Sequence, residues 1–135
     1  ELARKLRGES DAPAAHRAVE EAMLVARATR DAPLIMRALK VQGELARDED
    51  KLENAVQLYA EALAVARSLS DPLAVAHTLR HIADIHEVAG RPDLALPEYE
   101  EALRTYESTS GAKPGDVANA FRGLPLEAHR HHGHS

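Results

Sequence analysis

The sequence repeats itself with a period of forty residues, and this feature limits the folds open to the chain more than any other. Nine of the forty positions between 31 and 70 carry the same residue type forty positions later. They are Asp31, Leu39, Ala55, Tyr59, Glu61, Ala62, Leu63, Ser68 and Ser70. The same offset carries Ala15, Glu21, Ala22 and residues 25–27 onto identical types. Such periodicity indicates stacked copies of one supersecondary unit, each of which buries a face on its neighbour.

Each forty-residue unit is predicted to contain two helices. Asp31 and Asp71 are suitable N-caps, because each is followed by a proline that favours the first helical turn. The first helices are predicted over about residues 33–47 and 73–89, and the second over about 51–68 and 92–108. Residues 48–50 and 90–92 separate them, and Gly90 suits a left-handed C-terminal cap.

The second helices carry a recurrent small–aromatic–small stripe. The stripe consists of Ala55, Tyr59 and Ala62, and forty residues later of Ala95, Tyr99 and Ala102. These spacings place each trio on one helical face. Gly43 and Ala83 offer small residues on the first helices, so that helices can approach closely while the tyrosine fills the remaining space. We predict core packing for these residues, and no cofactor.

Composition excludes several classes of function. With 17 Lys and Arg against 22 Asp and Glu, the net charge is −5, which disfavours nucleic acid as a partner. The absence of cysteine excludes disulfides and thiolate chemistry. No apolar run approaches the roughly 20 residues of a membrane span, and no signal peptide is evident. We therefore predict a cytoplasmic protein with no membrane partner.

The two ends of the sequence carry separate expectations. Residues 1–7 lack an initial Met and already have a helical pattern, so we expect the chain to be cut from a longer protein. Residues 127–135 are polar and rich in histidine, and we expect them to be disordered. No function is assigned to this tail.

These motifs resemble the tetratricopeptide repeat (TPR) family. The best unit offers Leu79, Ile82, Ala83 and His86 on its first helix, before the stripe ending at Ala102; the preceding unit offers Leu39, Gln42, Gly43 and Ala46. The usual TPR period is about 34 residues. A period of forty is similar to the kinesin-light-chain-like branch, and it implies longer helices or longer connections. His86 occupies a core position, where we expect its ring to pack against neighbours.

The resemblance implies an all-α fold of antiparallel helix-turn-helix repeats, stacked as a right-handed α-solenoid. The repeat domain is expected over residues 1–126, with a partial repeat at 1–30, full repeats at 31–70 and 71–110, and a partial repeat at 116–126. Two prolines depart from the pattern. Pro97 is expected to kink its helix or delay its start, and Pro125 to shorten or bend the last one.

In this family the first helices line a concave groove that meets ligands. Carried over by position, the resemblance assigns the following residues to partner binding: Arg37, Lys40, Glu44, Arg47, His77, Arg80, His81, Asp84 and Arg122. Arg4 and Arg7 would extend this surface. Lys40, Arg80 and Arg122 would form a basic column, whereas the acidic excess would lie on second helices. We therefore predict a non-enzymatic module that binds a protein or an acidic or C-terminal peptide.

Other interpretations remain open at this point. His77, His81 and Asp84 stand at i, i+4 and i+7, so a metal-dependent binder or enzyme is one alternative. A sensory segment of a larger bacterial regulator is another. Both terminal repeats look incomplete, which predicts a homo-oligomer formed through an exposed helical end.

Overall fold

The computed structural model describes residues 12–109 and 113–122, and helices account for nearly all of these residues. The helices are α1 (Ala12–Ala28), α2 (Ala32–Asp48), α3 (Leu52–Ser68), α4 (Pro72–Val88), α5 (Pro92–Ser108) and α6 (Pro114–Arg122). No β-strand occurs within these two ranges. The four helices of the two full repeats begin and end within one residue of the predicted bounds.

Helix length explains the long period of the repeat. Each of the helices α1 to α5 has 17 residues. Turns of three residues separate them, so that a new helix begins every 20 residues. The forty-residue period is therefore two equal halves. Its excess over the usual TPR length lies in the helices and not in the connections.

The four turns share one backbone geometry. The middle residue of each has a positive φ, with values of 54° at Arg30, 62° at Asp50, 52° at Ser70 and 76° at Gly90. At three of these turns the next residue donates its N–H to the carbonyl five positions earlier, with N···O distances of 2.8–2.9 Å. This is the Schellman arrangement, which satisfies carbonyl groups at the end of a helix. The left-handed cap predicted at Gly90 is confirmed.

Side-chain caps distinguish the first helix of each pair from the second. The Asp31 carboxylate accepts a hydrogen bond from the Leu34 N–H at 3.1 Å, and Asp71 accepts one from Ala74 at the same distance. Both predicted N-caps are therefore confirmed. The second helices α3 and α5 begin without a side-chain cap, after Lys51 and Arg91.

The chain divides into two compact units at residues 69 and 70. In the first, α1 packs on α2 and α2 packs on α3. The predicted stripe of α3 is confirmed as core, because Ala55, Tyr59 and Ala62 are all buried. Gly43 of α2 lies against the Tyr59 ring, where it leaves the ring the space that a side chain would take. On α1, Ala15 is buried and Ala22 is half-buried.

In the second unit, α4 packs on α5 and α5 packs on α6. The stripe of Ala95, Tyr99 and Ala102 is buried here as well. The late start that Pro97 was expected to cause does not occur, because α5 begins at Pro92 and continues through Pro97. Pro97 is exposed, so water can reach the carbonyl group that loses its amide partner.

Several predictions concern residues at the ends of the chain. The last helix α6 begins at Pro114, two residues before the predicted partial repeat, and is described as far as Arg122. Arg4, Arg7, Pro125 and the tail at 127–135 lie outside the described residues. Within the described ranges, the helices are neither long nor apolar enough to cross a membrane.

Candidate functional site

The predicted partner-binding residues lie on three helices. Helix α2 carries Arg37, Lys40, Glu44 and Arg47; helix α4 carries His77, Arg80, His81 and Asp84; and helix α6 ends at Arg122. Lys40 belongs to the first unit, whereas Arg80 and Arg122 belong to the second. The basic column of these three residues therefore stays a prediction.

Helix α2 presents two unpaired cations. The side chains of Arg37 and Arg47 are exposed, and neither forms a hydrogen bond or an ion pair with the described residues. Lys40 and Glu44 are half-buried between them. Ten residues of helix correspond to a rise of about 15 Å, so the two guanidinium groups can contact well-separated points of one ligand.

On helix α4 the predicted polar residues bind tyrosines of α5. The Tyr99 hydroxyl donates a hydrogen bond to Asp84 Oδ1. The Tyr106 hydroxyl lies 2.6 Å from His77 Nδ1, and the two rings meet edge to face with centroids 5.2 Å apart. Half-buried Asp84 and His77 thus join the two helices of the repeat.

The same cluster extends to α6 and to Arg80. His77 Nε2 lies 3.9 Å from Asp116 Oδ2 of α6. Burial raises the pKa of both tyrosine hydroxyls, and at Tyr99 the bond to Asp84 raises the pKa further. At Tyr106 the neighbouring Arg80 guanidinium opposes that rise in pKa. This network of α4, α5 and α6 holds the second unit together.

The network also explains why the metal interpretation gains no support. His77 and Asp84, two of the three candidate ligands, already bind tyrosine hydroxyls. Across residues 12–109 and 113–122, no group of three or more His, Asp or Glu side chains is arranged to hold a metal ion. The spacing correctly places the candidate ligands on one helix, but tyrosines of the neighbouring helix bind the polar atoms of two of them.

His86 does more than pack its ring. It is half-buried, as a core position suggested, but its Nδ1 atom lies 2.7 Å from Glu98 Oε1 of α5. This pair links the end of α4 to α5.

The first unit contains a pocket that the sequence did not reveal. Its volume is about 330 Å³, at the lower end of the range for ligand pockets. Helix α1 contributes His16, α2 contributes Gln42 and Ala46, and the turn after α2 contributes Glu49. Helix α3 contributes Asn54, Gln57, Leu58 and Glu61. Five of the eight lining side chains are therefore carboxamides or carboxylates, and Ala46 and Leu58 are wholly apolar.

Glu49, on one side of this pocket, is held by two charged or polar contacts. His16 Nε2 lies 2.7 Å from Glu49 Oε2, and Lys51 Nζ lies 3.3 Å from Glu49 Oε1. The hydrogen bond with His16 is the main cause of the lowered pKa of Glu49. The pocket could have been suspected from the sequence, because Gln42, Asn54 and Gln57 stand where the next repeat has Ile82, Leu94 and Pro97.

Paired 17-residue helices with short turns and a small–aromatic–small core define a helical-repeat protein. A family model described as tetratricopeptide repeat matches residues 34–108. The chain belongs to this family, as its motifs predicted. TPR repeats generally mediate protein–protein interaction, and the family is generally non-catalytic.

A solved structure supports the fold. BtubC (BKLC) from P. vanneervenii, a kinesin light chain-like TPR protein, superimposes with a TM-score of 0.83 at 23% sequence identity. The match covers 96% of this chain and 53% of BtubC, so the chain spans about half the length of that relative. No curated protein matches the sequence. The predicted all-α, TPR-like repeat fold is therefore confirmed.

Proposed function

We propose that this chain is a non-catalytic interaction module that binds an acidic or C-terminal peptide segment of a protein partner through its first helices. The observation that carries this proposal is the pair of exposed arginines on α2, Arg37 and Arg47, which have no partner among the described residues. Arginine binds carboxylates through paired hydrogen bonds, and an unpaired guanidinium remains available for an incoming carboxylate.

The second unit has a different part in this proposal. On α4, His77 and Asp84 serve the bonds to Tyr106 and Tyr99, and Arg80 lies beside the Tyr106 hydroxyl. These bonds support a structural role for the α4 residues, and they leave the first contact with the ligand to α2. Lys40 and Arg80 remain candidates for further carboxylate contacts.

The proposal is tested by charge reversal on α2. The ligands are fluorescein-labelled acidic peptides with a free C-terminal carboxylate, and binding is followed by fluorescence anisotropy at low salt. The double variant Arg37→Glu/Arg47→Glu should weaken binding about tenfold, from the loss of two exposed pairs and the added repulsion. Lys40→Glu/Arg80→Glu tests the basic column in the same assay.

Arg17→Glu/Arg27→Glu is the matched control, because it makes the same charge change at two exposed positions of α1, also ten residues apart. It should alter affinity much less than either double variant. If the α2 variant binds as tightly as the unmodified chain, the proposed peptide site on α2 is wrong. If the control and the α2 variant lose affinity equally, binding depends on the net charge of the protein and not on the α2 site.

A further inference from the structure

The two full repeats differ most in chemistry around the pocket of the first unit. Three carboxamides line that pocket, at Gln42, Asn54 and Gln57. The positions forty residues later hold Ile82, Leu94 and Pro97, none of which can form a side-chain hydrogen bond. The polar lining therefore belongs to the first repeat and is not a general property of the repeat.

The second repeat also shows how such a space can be filled. Ala46 and Leu58 correspond in position to His86 and Glu98. In the second repeat the imidazole of His86 and the carboxylate of Glu98 bond to each other at 2.7 Å between α4 and α5. In the first repeat a methyl group stands in place of the imidazole, and a pocket of about 330 Å³ lies over it.

The polar atoms of the pocket wall have little to bind within the chain. The side chains of Gln42, Asn54, Gln57 and Glu61 form no hydrogen bond or ion pair with the described residues. The engaged polar residues of the lining are His16 and Glu49, which pair with each other, and Glu49 also pairs with Lys51. Three carboxamides and the carboxylate of Glu61 therefore line this pocket with unengaged acceptors, beside the apolar Ala46 and Leu58.

We propose that this pocket binds the guanidinium group of an arginine side chain from a protein partner. A guanidinium carries five N–H donors in one plane and no acceptor. The pocket offers acceptors on two helices, at Gln42 of α2 and at Asn54, Gln57 and Glu61 of α3. Glu61 supplies the opposite charge, and Leu58 and Ala46 offer apolar contact to the methylene stem of the ligand.

An ammonium group satisfies this arrangement less well than a guanidinium. It has three donors around one point, whereas the acceptors here are spread along two helices. The binding of a basic side chain at this pocket is independent of the binding of carboxylates by α2. The two sites would together recognise a partner that carries charges of both signs.

The experiment uses blocked amino acids as ligands of the whole chain. N-acetyl-arginine-amide is titrated to about 20 mM, a range that suits a single side chain with millimolar affinity. Binding is followed by ¹H–¹⁵N NMR, with the side-chain NH₂ signals of Asn54 and Gln57 as reporters. We expect saturable shifts of these signals, smaller shifts with N-acetyl-lysine-amide, and none with the uncharged N-acetyl-citrulline-amide.

Two kinds of variant separate the pocket from the rest of the surface. Glu61→Gln should weaken arginine binding about three- to fivefold, as expected for the loss of an exposed ion pair, and Glu21→Gln on α1 should leave it unchanged. Ala46→His/Leu58→Glu copies the side chains that fill the second repeat, and it should abolish binding while the helical circular dichroism is retained.

Each contrary result overturns the proposal. Absence of saturable shifts shows that the pocket takes no guanidinium, and equal binding of citrulline shows that its charge is not recognised. Equal binding of lysine removes the preference for a planar donor group. If Glu61→Gln and Glu21→Gln weaken binding alike, the ligand responds to net charge and not to the pocket.

Discussion

Gly43 and Tyr59 are in such close contact that a Cβ atom on Gly43 would lie 2.8 Å from Cε2 of the tyrosine ring. Tyr59 is 1% exposed and cannot swing into solvent. Forty residues later the same pair is Ala83 and Tyr99, where a Cβ atom is accommodated. The tyrosines at equivalent positions of the two repeats therefore pack differently against the first helix.

This contact predicts that Gly43→Ala will destabilise the protein. Alanine normally stabilises a helix interior by about 0.5–1 kcal/mol relative to glycine. Overpacking a core costs about 1–3 kcal/mol, so we expect a net loss of about 1 kcal/mol in urea unfolding. Gly115→Ala is the control, since a Cβ at Gly115 meets no atom within 4 Å. A Gly43→Ala variant more stable than the parent would contradict the prediction.

The buried tyrosines predict a loss of stability in alkali. Burial, and then the bond to Asp84, raises the pKa of Tyr99 above its ordinary value of 10.0. As the pH rises, Tyr99 therefore ionises in the unfolded chain before it ionises in the folded one. Its contribution to the free energy of unfolding is fully present below pH 10 and declines as the pH rises further. Tyr99→Phe should lose less stability between pH 9 and pH 11 than the parent, as measured by urea unfolding at each pH. An equal decline in both proteins would show that Tyr99 is not the cause.

The pair of His16 and Glu49 predicts an effect in acid. The hydrogen bond to His16 lowers the pKa of Glu49 below its ordinary value of 4.5. Its contribution to stability is present above pH 4.5 and is lost as the pH falls through the lowered pKa. In His16→Ala the pKa of Glu49 should move back towards 4.5 in an NMR titration of its carboxyl carbon. Lys51→Ala should move it less, and the reverse order would contradict the assignment to His16.

An exposed apolar pair on α1 favours self-association. Leu24 and Val25 are 70% and 57% exposed, and both belong to the first helix of the described chain. Burial of such surface against a second copy would remove apolar area from water. We expect light scattering to show mass above the monomer at high concentration, and Leu24→Lys/Val25→Lys to restore the monomer. A monomer at every concentration would argue against a homo-oligomer formed through this end.

Local signals in the sequence accounted for most of the fold. An N-cap depends on one side chain and its neighbours, so Asp31 and Asp71 could be recognised directly. Gly90 marked one left-handed turn, but Arg30, Asp50 and Ser70 adopt the same conformation without glycine. For these three residues the only indication of a left-handed turn is their position, because they precede Gly90 by multiples of 20 residues.

The candidate site was harder to predict because it depends on contacts between helices. The spacing of His77 and Asp84 shows that they share a helix face, but it cannot show that Tyr106 and Tyr99 reach them from α5. The pocket depends on side-chain volume in the same way. Ala46 is an ordinary core residue in its own repeat, and its importance becomes evident only beside His86 of the next.

Helices α1 to α5 all have one length and the four turns between them another, so a single helix with its turn is the unit of backbone geometry in this chain. Every boundary at residues 30, 50, 70 and 90 has the same left-handed backbone. The backbone of the described chain therefore has a period of 20 residues, half that of the sequence. The side-chain caps at Asp31 and Asp71 and the faces of the helices restore the forty-residue period, because they alternate from one helix to the next.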